Sequence, residues 1–190
     1  MTGMSSPTQV DGRTRRRRHL PIAITLTGTV LLFLVGLLTG YASHDGLSHL
    51  AADPETIDET TWTFGSILAR NAGVALSLYT GTISLGLTTI ITLPVLGLYI
   101  GATARIGIES VGWWAVAGSA GWYVGPEFLG CLIAAAGGLY PLVSASLPFD
   151  SEVPRWKRYL QAAPGSLLLL SLSVGLIILG AGIEILVIDS

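Results

Sequence analysis

The sequence has little charge for its length. Asp, Glu, Lys and Arg make up 12% of its 190 residues, whereas a typical soluble domain carries about 25%. Hydrophobic residues make up 51%, and the mean hydropathy is +0.65. Four stretches contain no charged residue at all: residues 20–43, 72–104, 128–149 and 159–183. Each exceeds the roughly 18 apolar residues that mark a membrane-spanning helix, so the sequence predicts a polytopic membrane protein rather than a soluble domain.

Cysteine and histidine are also scarce. The single cysteine, Cys131, excludes an intramolecular disulfide and a cysteine-based zinc site. It lies in an apolar stretch, which favours a packing residue over a reactive thiol. The three histidines, His19, His44 and His49, all fall outside the apolar stretches. His44 and His49 beside Asp45 would suit a metal, but a solvated loop is the simpler interpretation, and we expect no cofactor.

A basic cluster precedes the first apolar stretch. Residues 1–19 are predicted to form a disordered cytoplasmic N-terminus, and its arginines are Arg15, Arg16, Arg17 and Arg18. One interpretation is the basic region of a cleavable signal peptide, for example of twin-arginine type. The other is the cytoplasmic anchor of a spanning helix over residues 20–41. That stretch is about 33 Å long as a helix, longer than a signal peptide needs, which favours an uncleaved helix. Beside a membrane helix, lipid contact explains the arginines better than nucleic acid does.

Residues 20–188 are predicted to form a single transmembrane domain, an all-α bundle of about five transmembrane helices. Pro94 is expected to end the second helix, because proline lacks the N–H that a helix interior needs. The apolar residues that follow are interrupted at 109–112, and we interpret them as one crossing made from a broken or re-entrant helix. The predicted helices cover residues 20–41, 68–93, 95–124 (broken), 127–147 and 166–188.

The loops differ in charge, and this difference predicts the orientation. Residues 44–64 contain five acidic residues and no Lys or Arg: Asp45, Asp53, Glu55, Asp58 and Glu59. The loop over residues 148–164 contains Arg155, Lys157 and Arg158. Because basic loops remain cytoplasmic, the second loop is predicted inside and the first outside. Five crossings in a cell membrane then place the N-terminus in the cytoplasm and the C-terminus outside.

Three pairs of glycines have the spacing that lets membrane helices approach closely. The pairs are Gly36 and Gly40, Gly97 and Gly101, and Gly121 and Gly125. They are interpreted as packing positions between helices of one chain. The alternative is a seam between two copies of the protein.

Ionisable residues within apolar helices are costly and are therefore candidates for a functional site. In the predicted topology Arg70, Asn71, Glu127 and Glu184 lie in the outer half of the membrane, and Arg105 can reach them from below. We expect a polar cluster of Asn71, Arg105, Glu127 and Glu184, with Arg105 paired to Glu127 or Glu184. The alternative is that Glu184 and Arg70 extend to the membrane interface. Glu127 would then be an ordinary acidic residue at a helix start.

Several of these segments together resemble the stage II sporulation protein M family of membrane proteins, over roughly residues 25–186. Gly28-Thr-Val-Leu-Leu-Phe-Leu-Val-Gly-Leu-Leu-Thr-Gly40 is similar to the opening helix of that family. Phe64-Gly-Ser-Ile-Leu-Ala-Arg-Asn71 and Gly97-Leu-Tyr-Ile-Gly101 resemble two further segments, although Leu96 stands where the family has Asn. Glu127 and Glu184 match two of its helix glutamates. The resemblance implies five spans and a role in a membrane complex, without a sporulation role for this chain.

Two functions remain open, and both make the lipid bilayer a partner. The first is a non-enzymatic membrane scaffold or complex subunit, with a membrane-protein partner or a second copy of itself. The alternative is a transporter or channel component working with a partner subunit, favoured by the broken helix and the intramembrane charges. An intramembrane hydrolase is not expected, because no nucleophile–base pair or metal motif occurs in the sequence.

Overall fold

The computed structural model describes residues 8–43, 63–148 and 153–188, and within these ranges all regular structure is helical. The elements are α1 (Thr8–Ala42), α2 (Phe64–Tyr79), a 3₁₀ turn (Thr80–Thr82), α3 (Leu87–Val111), α4 (Trp113–Ser146), α5 (Arg155–Gln161) and α6 (Ala163–Ile188). Four stretches are long and apolar enough to cross a membrane: Leu20–Ala42, Leu87–Val111, Gly125–Ser146 and Arg155–Leu186. The prediction of an all-helical protein with membrane-spanning helices is confirmed at this level.

Helices α1 and α3 lie side by side and run parallel. A Cβ on Gly36 would overlap the backbone of Pro94, and a Cβ on Gly40 would overlap the backbone of Leu98. The register advances in the same direction on both helices, which defines the parallel arrangement. Glycines of α3 meet the backbone of α1 in the same way, so four residues form what we call the glycine seam: Gly36, Gly40, Gly97 and Gly101.

The glycine seam shows that two of the three predicted glycine pairs pack within one chain. Without side chains at these positions, the two backbones approach closely and gain van der Waals contact along their length. The third pair behaves differently. A Cβ on Gly125 would meet nothing within 4 Å, and Gly121 belongs to residues 119–124, whose side-chain surroundings lie outside the description.

Helix α4 is the centre of the second half of the bundle. Gly180 of α6 faces Glu127, whereas Gly137 faces the Ser166 carbonyl oxygen, so α4 and α6 run antiparallel. Gly137 also faces the ring of Tyr79, and α2 runs parallel to α4. Three consecutive alanines of α4 are completely buried between these neighbours: Ala134, Ala135 and Ala136. Small side chains again bring the helices close together.

The predicted second helix, over residues 68–93, is interrupted in the structure. Helix α2 ends at Tyr79, and a 3₁₀ turn leads to Leu85 and Gly86, which both have positive φ (55° and 87°). A left-handed backbone costs little at glycine, so Gly86 permits the reversal that begins α3. The side chain of Ser84 accepts a hydrogen bond from the Thr88 N–H at 3.1 Å and satisfies the new helix start.

Pro94, which the sequence predicts as the end of that helix, lies inside α3 instead. Membrane helices tolerate proline where neighbouring helices support the backbone, and here α1 packs directly on Pro94 through Gly36. The turn therefore occurs at the position where the backbone can take positive φ. The missing N–H of Pro94 does not determine where the chain reverses.

The predicted broken crossing over residues 95–124 is divided differently. Helix α3 ends at Val111, and Gly112 (φ 85°) separates it from α4. Residues 113–124 belong to α4, which continues through Pro126 as one helix of 34 residues. The interruption expected at residues 109–112 is therefore present, but it separates two helices and does not break a single one.

Helix α1 begins at Thr8, so the structure replaces the disorder expected for residues 8–19 with a continuous helix. Arg15, Arg16, Arg17 and Arg18 extend this helix, in keeping with the good helix propensity of arginine. The acidic loop with His44 and His49 lies outside the described residues, as do residues 1–7, 149–152 and 189–190.

Candidate functional site

Glu127 is the one charged residue in the sequence of α4. Its side chain is only 9% exposed. The Asn71 side-chain amide nitrogen donates a hydrogen bond of 2.6 Å to its Oε1. The two residues are 56 positions apart in the sequence, and their bond joins the parallel helices α2 and α4. A buried carboxylate requires such a donor, since burial without one is strongly unfavourable.

Helix α6 closes the other side of Glu127. A Cβ on Gly180 would lie 2.5 Å from the Glu127 Cγ and 3.4 Å from its backbone nitrogen. Any side chain at position 180 would therefore displace the glutamate. One turn further along α6, Glu184 is 8% exposed and lies within electrostatic range of Glu127.

A basic residue neighbours this acidic pair. Arg70 lies within electrostatic range of Glu184 and precedes Asn71 on α2. We call Arg70, Asn71, Glu127 and Glu184 the carboxylate cluster. It draws on three helices, α2, α4 and α6, and contains two carboxylates but one guanidinium. Two buried carboxylates of like charge repel one another unless a proton or a cation is shared, so the cluster is suited to hold such a charge.

Arg105, the fourth residue expected in this group, lies elsewhere. Its Nε is 2.6 Å from Oε1 of Glu109, one turn away on α3. Its Nη1 donates to the Tyr41 carbonyl oxygen at 3.3 Å, and its guanidinium lies 5.4 Å from the centre of the Tyr41 ring. The expected pairing with Glu127 or Glu184 is thus corrected. Helix α3 packs on α1, so Arg105 meets the C-terminal end of α1, where a positive charge is favourable.

The structure therefore brings together Asn71, Glu127 and Glu184 of the predicted site residues. Arg70, for which extension to the membrane interface was the alternative, is exposed, and its charge acts on Glu184.

The opposite end of the bundle is held by hydroxyl groups that the sequence interpretation did not single out. The buried Thr89 hydroxyl donates to the Leu78 carbonyl oxygen at 2.6 Å, across the reversal between α2 and α3. The Tyr159 hydroxyl of α5 donates to the Thr82 carbonyl oxygen at 2.6 Å. Arg158 donates to the Leu147 carbonyl oxygen beside it. These bonds satisfy carbonyl groups that the ends of helices leave free.

A further hydroxyl joins the helices near the same end of the bundle. The Ser166 hydroxyl of α6 bonds to the Gly137 carbonyl oxygen at 2.7 Å and lies 3.2 Å from the Tyr79 hydroxyl. Serine is uninformative in sequence, since it suits helix ends, turns and helix contacts alike. Only the packing of α2, α4 and α6 distinguishes Ser166 from the exposed serines.

Among the described residues, no group of three or more His, Cys, Asp or Glu could hold a metal ion. Cys131 is buried in the α4 core. Comparison with known proteins finds no family model, no curated protein and no solved structure that matches this chain. Over the part of the chain that the structure describes, the class is thus an all-helical protein with four stretches able to cross a membrane and a carboxylate cluster between α2, α4 and α6.

Proposed function

We propose that this protein is a non-enzymatic, multi-pass membrane protein that acts as a scaffold or subunit of a membrane complex. The observation that carries the proposal is the hydrogen bond between Asn71 and Glu127. The side chains of Asn71, Thr89 and Ser166 bond to other elements of the same chain and hold its helices in place. Many of the side chains that face outward are large and apolar, and they suit lipid or another membrane protein. Examples are Leu31, Val35, Leu38, Leu168 and Leu186, all more than half exposed.

We further propose five crossings. Helix α2 has 16 residues, fewer than the roughly 20 of a typical span. The 3₁₀ turn lengthens it, and it runs parallel to α4 from Asn71 to Tyr79. The parallel packing of α1 and α3 also requires the chain to return between them. With the basic end of α1 inside, the segment between α4 and α6 is again inside, which agrees with its Arg155, Lys157 and Arg158.

Single cysteines test this topology. In a Cys131→Ser background, cysteine replaces Ser48, Ile83, Ser151 or Ser190, one at a time. Five crossings predict that an impermeant maleimide labels positions 48 and 190 in intact cells. Positions 83 and 151 are then labelled only after permeabilisation. Labelling at position 83 in intact cells would contradict a crossing by α2.

The resemblance to the stage II sporulation protein M family supports the role of a complex subunit. The residues that carry it include Asn71, Glu127 and Glu184, which lie together in the carboxylate cluster. The shared feature is thus a set of contacts between helices. That is the kind of residue a scaffold needs to keep its surface in one shape.

Affinity purification in mild detergent, with mass spectrometry, tests the scaffold role. Wild type is compared with Glu127→Gln and with Glu109→Gln, a control that removes a half-exposed carboxylate. A scaffold predicts a constant set of membrane proteins with wild type and Glu109→Gln, and a smaller amount with Glu127→Gln. A folded wild-type protein that purifies alone, or a set unaffected by Glu127→Gln, would contradict this role for the cluster.

Transport is the second candidate, and a separate observation favours it. The Ser173 hydroxyl is buried on α6 without a hydrogen-bond partner in the described structure. It lies about two turns from Gly180, and Ser166 lies about two turns beyond it. Polar groups thus recur along the face of α6 that packs on α4, from Glu184 to Ser166. Such a row is typical of pathways for protons or small cations.

Purified protein in liposomes with a trapped pH-sensitive dye distinguishes the two functions. Transport predicts a proton flux that Glu127→Gln abolishes and Glu109→Gln retains. The scaffold predicts no flux above that of protein-free liposomes for any of the three proteins.

A further inference from the structure

A cavity of about 420 Å³ lies at the end of the bundle where α4 ends and α5 begins. Its volume falls within the roughly 300–1,000 Å³ that is usual for small-molecule sites. Its wall is largely apolar and includes Leu85, Leu142, Ala145, Trp156 and Leu160, with Arg155 as its charged residue. The elements that form it are the reversal between α2 and α3, the last turns of α4, and α5.

The charge around this cavity is basic. Helix α5 carries Arg155, Lys157 and Arg158 within seven residues and no acidic residue. Asp150 and Glu152 precede it outside the described residues, yet residues 148–164 still contain more basic than acidic side chains. A guanidinium binds phosphate oxygens through paired hydrogen bonds, so Arg155 is suited to an anionic headgroup.

The apolar residues of this region are exposed in a way that suits the membrane interface. Trp156 and Leu160 of α5 are each 61% exposed, and Leu85 is 63% exposed. Lys157 lies 5.5 Å from the centre of the Trp156 ring. A short helix with a tryptophan, basic side chains and an apolar face is typical of a segment lying at the headgroup level of a bilayer. A cavity opening there meets lipid before it meets any soluble ligand.

We propose that this cavity binds one anionic phospholipid, with an acyl chain against Leu85, Leu142 and Leu160 and the phosphate at Arg155. The proposal requires that the chain is embedded in a membrane. It is independent of whether the protein is a scaffold or a transporter. A lipid held there would fasten α5 to the end of α4 and to the reversal between α2 and α3, next to the hydrogen bond from Tyr159 to Thr82.

The test uses Trp156 as the reporter at the cavity. The other four tryptophans (Trp62, Trp113, Trp114 and Trp122) are replaced by phenylalanine in the full chain. The protein is reconstituted into phosphatidylcholine vesicles that contain increasing amounts of brominated phosphatidylglycerol or brominated phosphatidylcholine. Bromine quenches Trp156 only when the lipid occupies the adjacent site, so the two titrations give a relative association constant.

We expect the relative association constant to favour phosphatidylglycerol by about fivefold, the factor that corresponds to one basic residue near an anionic lipid. Arg155→Gln is expected to remove that preference. Lys157→Gln is the matched control, because Lys157 does not line the cavity. Because its charge lies outside the cavity wall, its removal is expected to change the ratio by less than about twofold. Ser146 also lines the cavity, so Ser146→Phe, which fills part of it, is expected to reduce quenching by both lipids.

Equal quenching by the two brominated lipids in wild type would overturn the proposal. An equal loss of preference in Arg155→Gln and Lys157→Gln would also overturn it, because the attraction would then be a general surface effect. Since Ser146→Phe tests the cavity and Arg155→Gln tests the headgroup, a folding defect in one variant leaves the other informative. Retention of the fold is checked by circular dichroism and by elution volume in size-exclusion chromatography.

Discussion

The two halves of the bundle are held together by different means. Along the glycine seam, α1 and α3 meet backbone to backbone, and the polar contact described between them, from Arg105 to the Tyr41 carbonyl oxygen, lies at the end of the seam. Between α2, α4 and α6, the carboxylate cluster and Ser166 add hydrogen bonds to the contacts of small residues. The first arrangement depends on shape alone and tolerates no added atom. The second depends on matching partners, so changes of polarity affect it as well as changes of size.

The largest effect is expected from Gly36→Leu in the glycine seam. A side chain there would overlap the Pro94 backbone, which cannot move aside. We expect the free energy of unfolding in detergent to fall by about 3 kcal/mol or more, at the upper end of the cost of overpacking. Gly28→Leu on the same helix is the control, because a Cβ there meets nothing within 4 Å. Equal losses in the two variants would show that the seam is not formed.

Asn71→Leu is expected to have the next largest effect. It removes the donor to Glu127 and leaves a buried carboxylate without that bond, at a cost of about 2 kcal/mol. The double variant Asn71→Leu with Glu127→Leu is expected to recover part of the loss, since replacing both partners by apolar groups is less costly than removing one. Unfolding titrations of the two single variants and the double variant measure this coupling. Strict additivity would argue against the bond.

Thr89→Val removes the hydrogen bond to the Leu78 carbonyl oxygen while keeping the side-chain shape. We expect a loss of about 1 kcal/mol, the usual net contribution of one hydrogen bond. Thr103→Val provides the comparison, because the exposed Thr103 hydroxyl bonds to the Tyr99 carbonyl oxygen within its own helix. If the Thr103 variant loses as much as the Thr89 variant, the reversal between α2 and α3 is not held by Thr89.

The smallest effect is expected from Glu109→Gln. Its bond with Arg105 joins partly exposed side chains, 31% and 49% accessible, and such pairs contribute about 0.3–0.5 kcal/mol. High salt should reduce the difference between wild type and variant further. A loss larger than that of Asn71→Leu would contradict this order. It would show that the pair of Arg105 and Glu109 stabilises the fold more than the bond between Asn71 and Glu127.

The sequence interpretation was most successful where a local pattern was sufficient. The uncharged stretches predicted apolar helices, and glycine spacing identified both sides of the glycine seam. The join between α2 and α3 was predicted at Pro94 but lies at Leu85 and Gly86. Proline is a strong signal for a helix end only when no neighbouring helix supports it. That support comes from Gly36, about 60 residues earlier, and cannot be inferred from the residues around Pro94.

For the polar residues too, the local sequence identified the residues, but it did not identify all of their partners. Asn71, Glu127 and Glu184 were singled out because charge or amide groups are rare in apolar helices. The partner of Arg105 was predicted from charge alone, as Glu127 or Glu184. In the structure Glu109, one turn away on the same helix, meets that guanidinium. The choice among several acceptors depends on which helix packs beside α3.

The sequence by itself determined the class of this protein, because the free energy of transferring a helix from water to an apolar environment is a sum over its residues. It also determined which residues are too polar to be buried without a partner. Only the tertiary structure decided the parallel pairing of α1 with α3, the meeting of α2, α4 and α6 around Glu127, and the cavity beside α5. Those outcomes depend on contacts between residues far apart in the chain. The free energies of these contacts are set by the shapes of the packed surfaces and the distances between them.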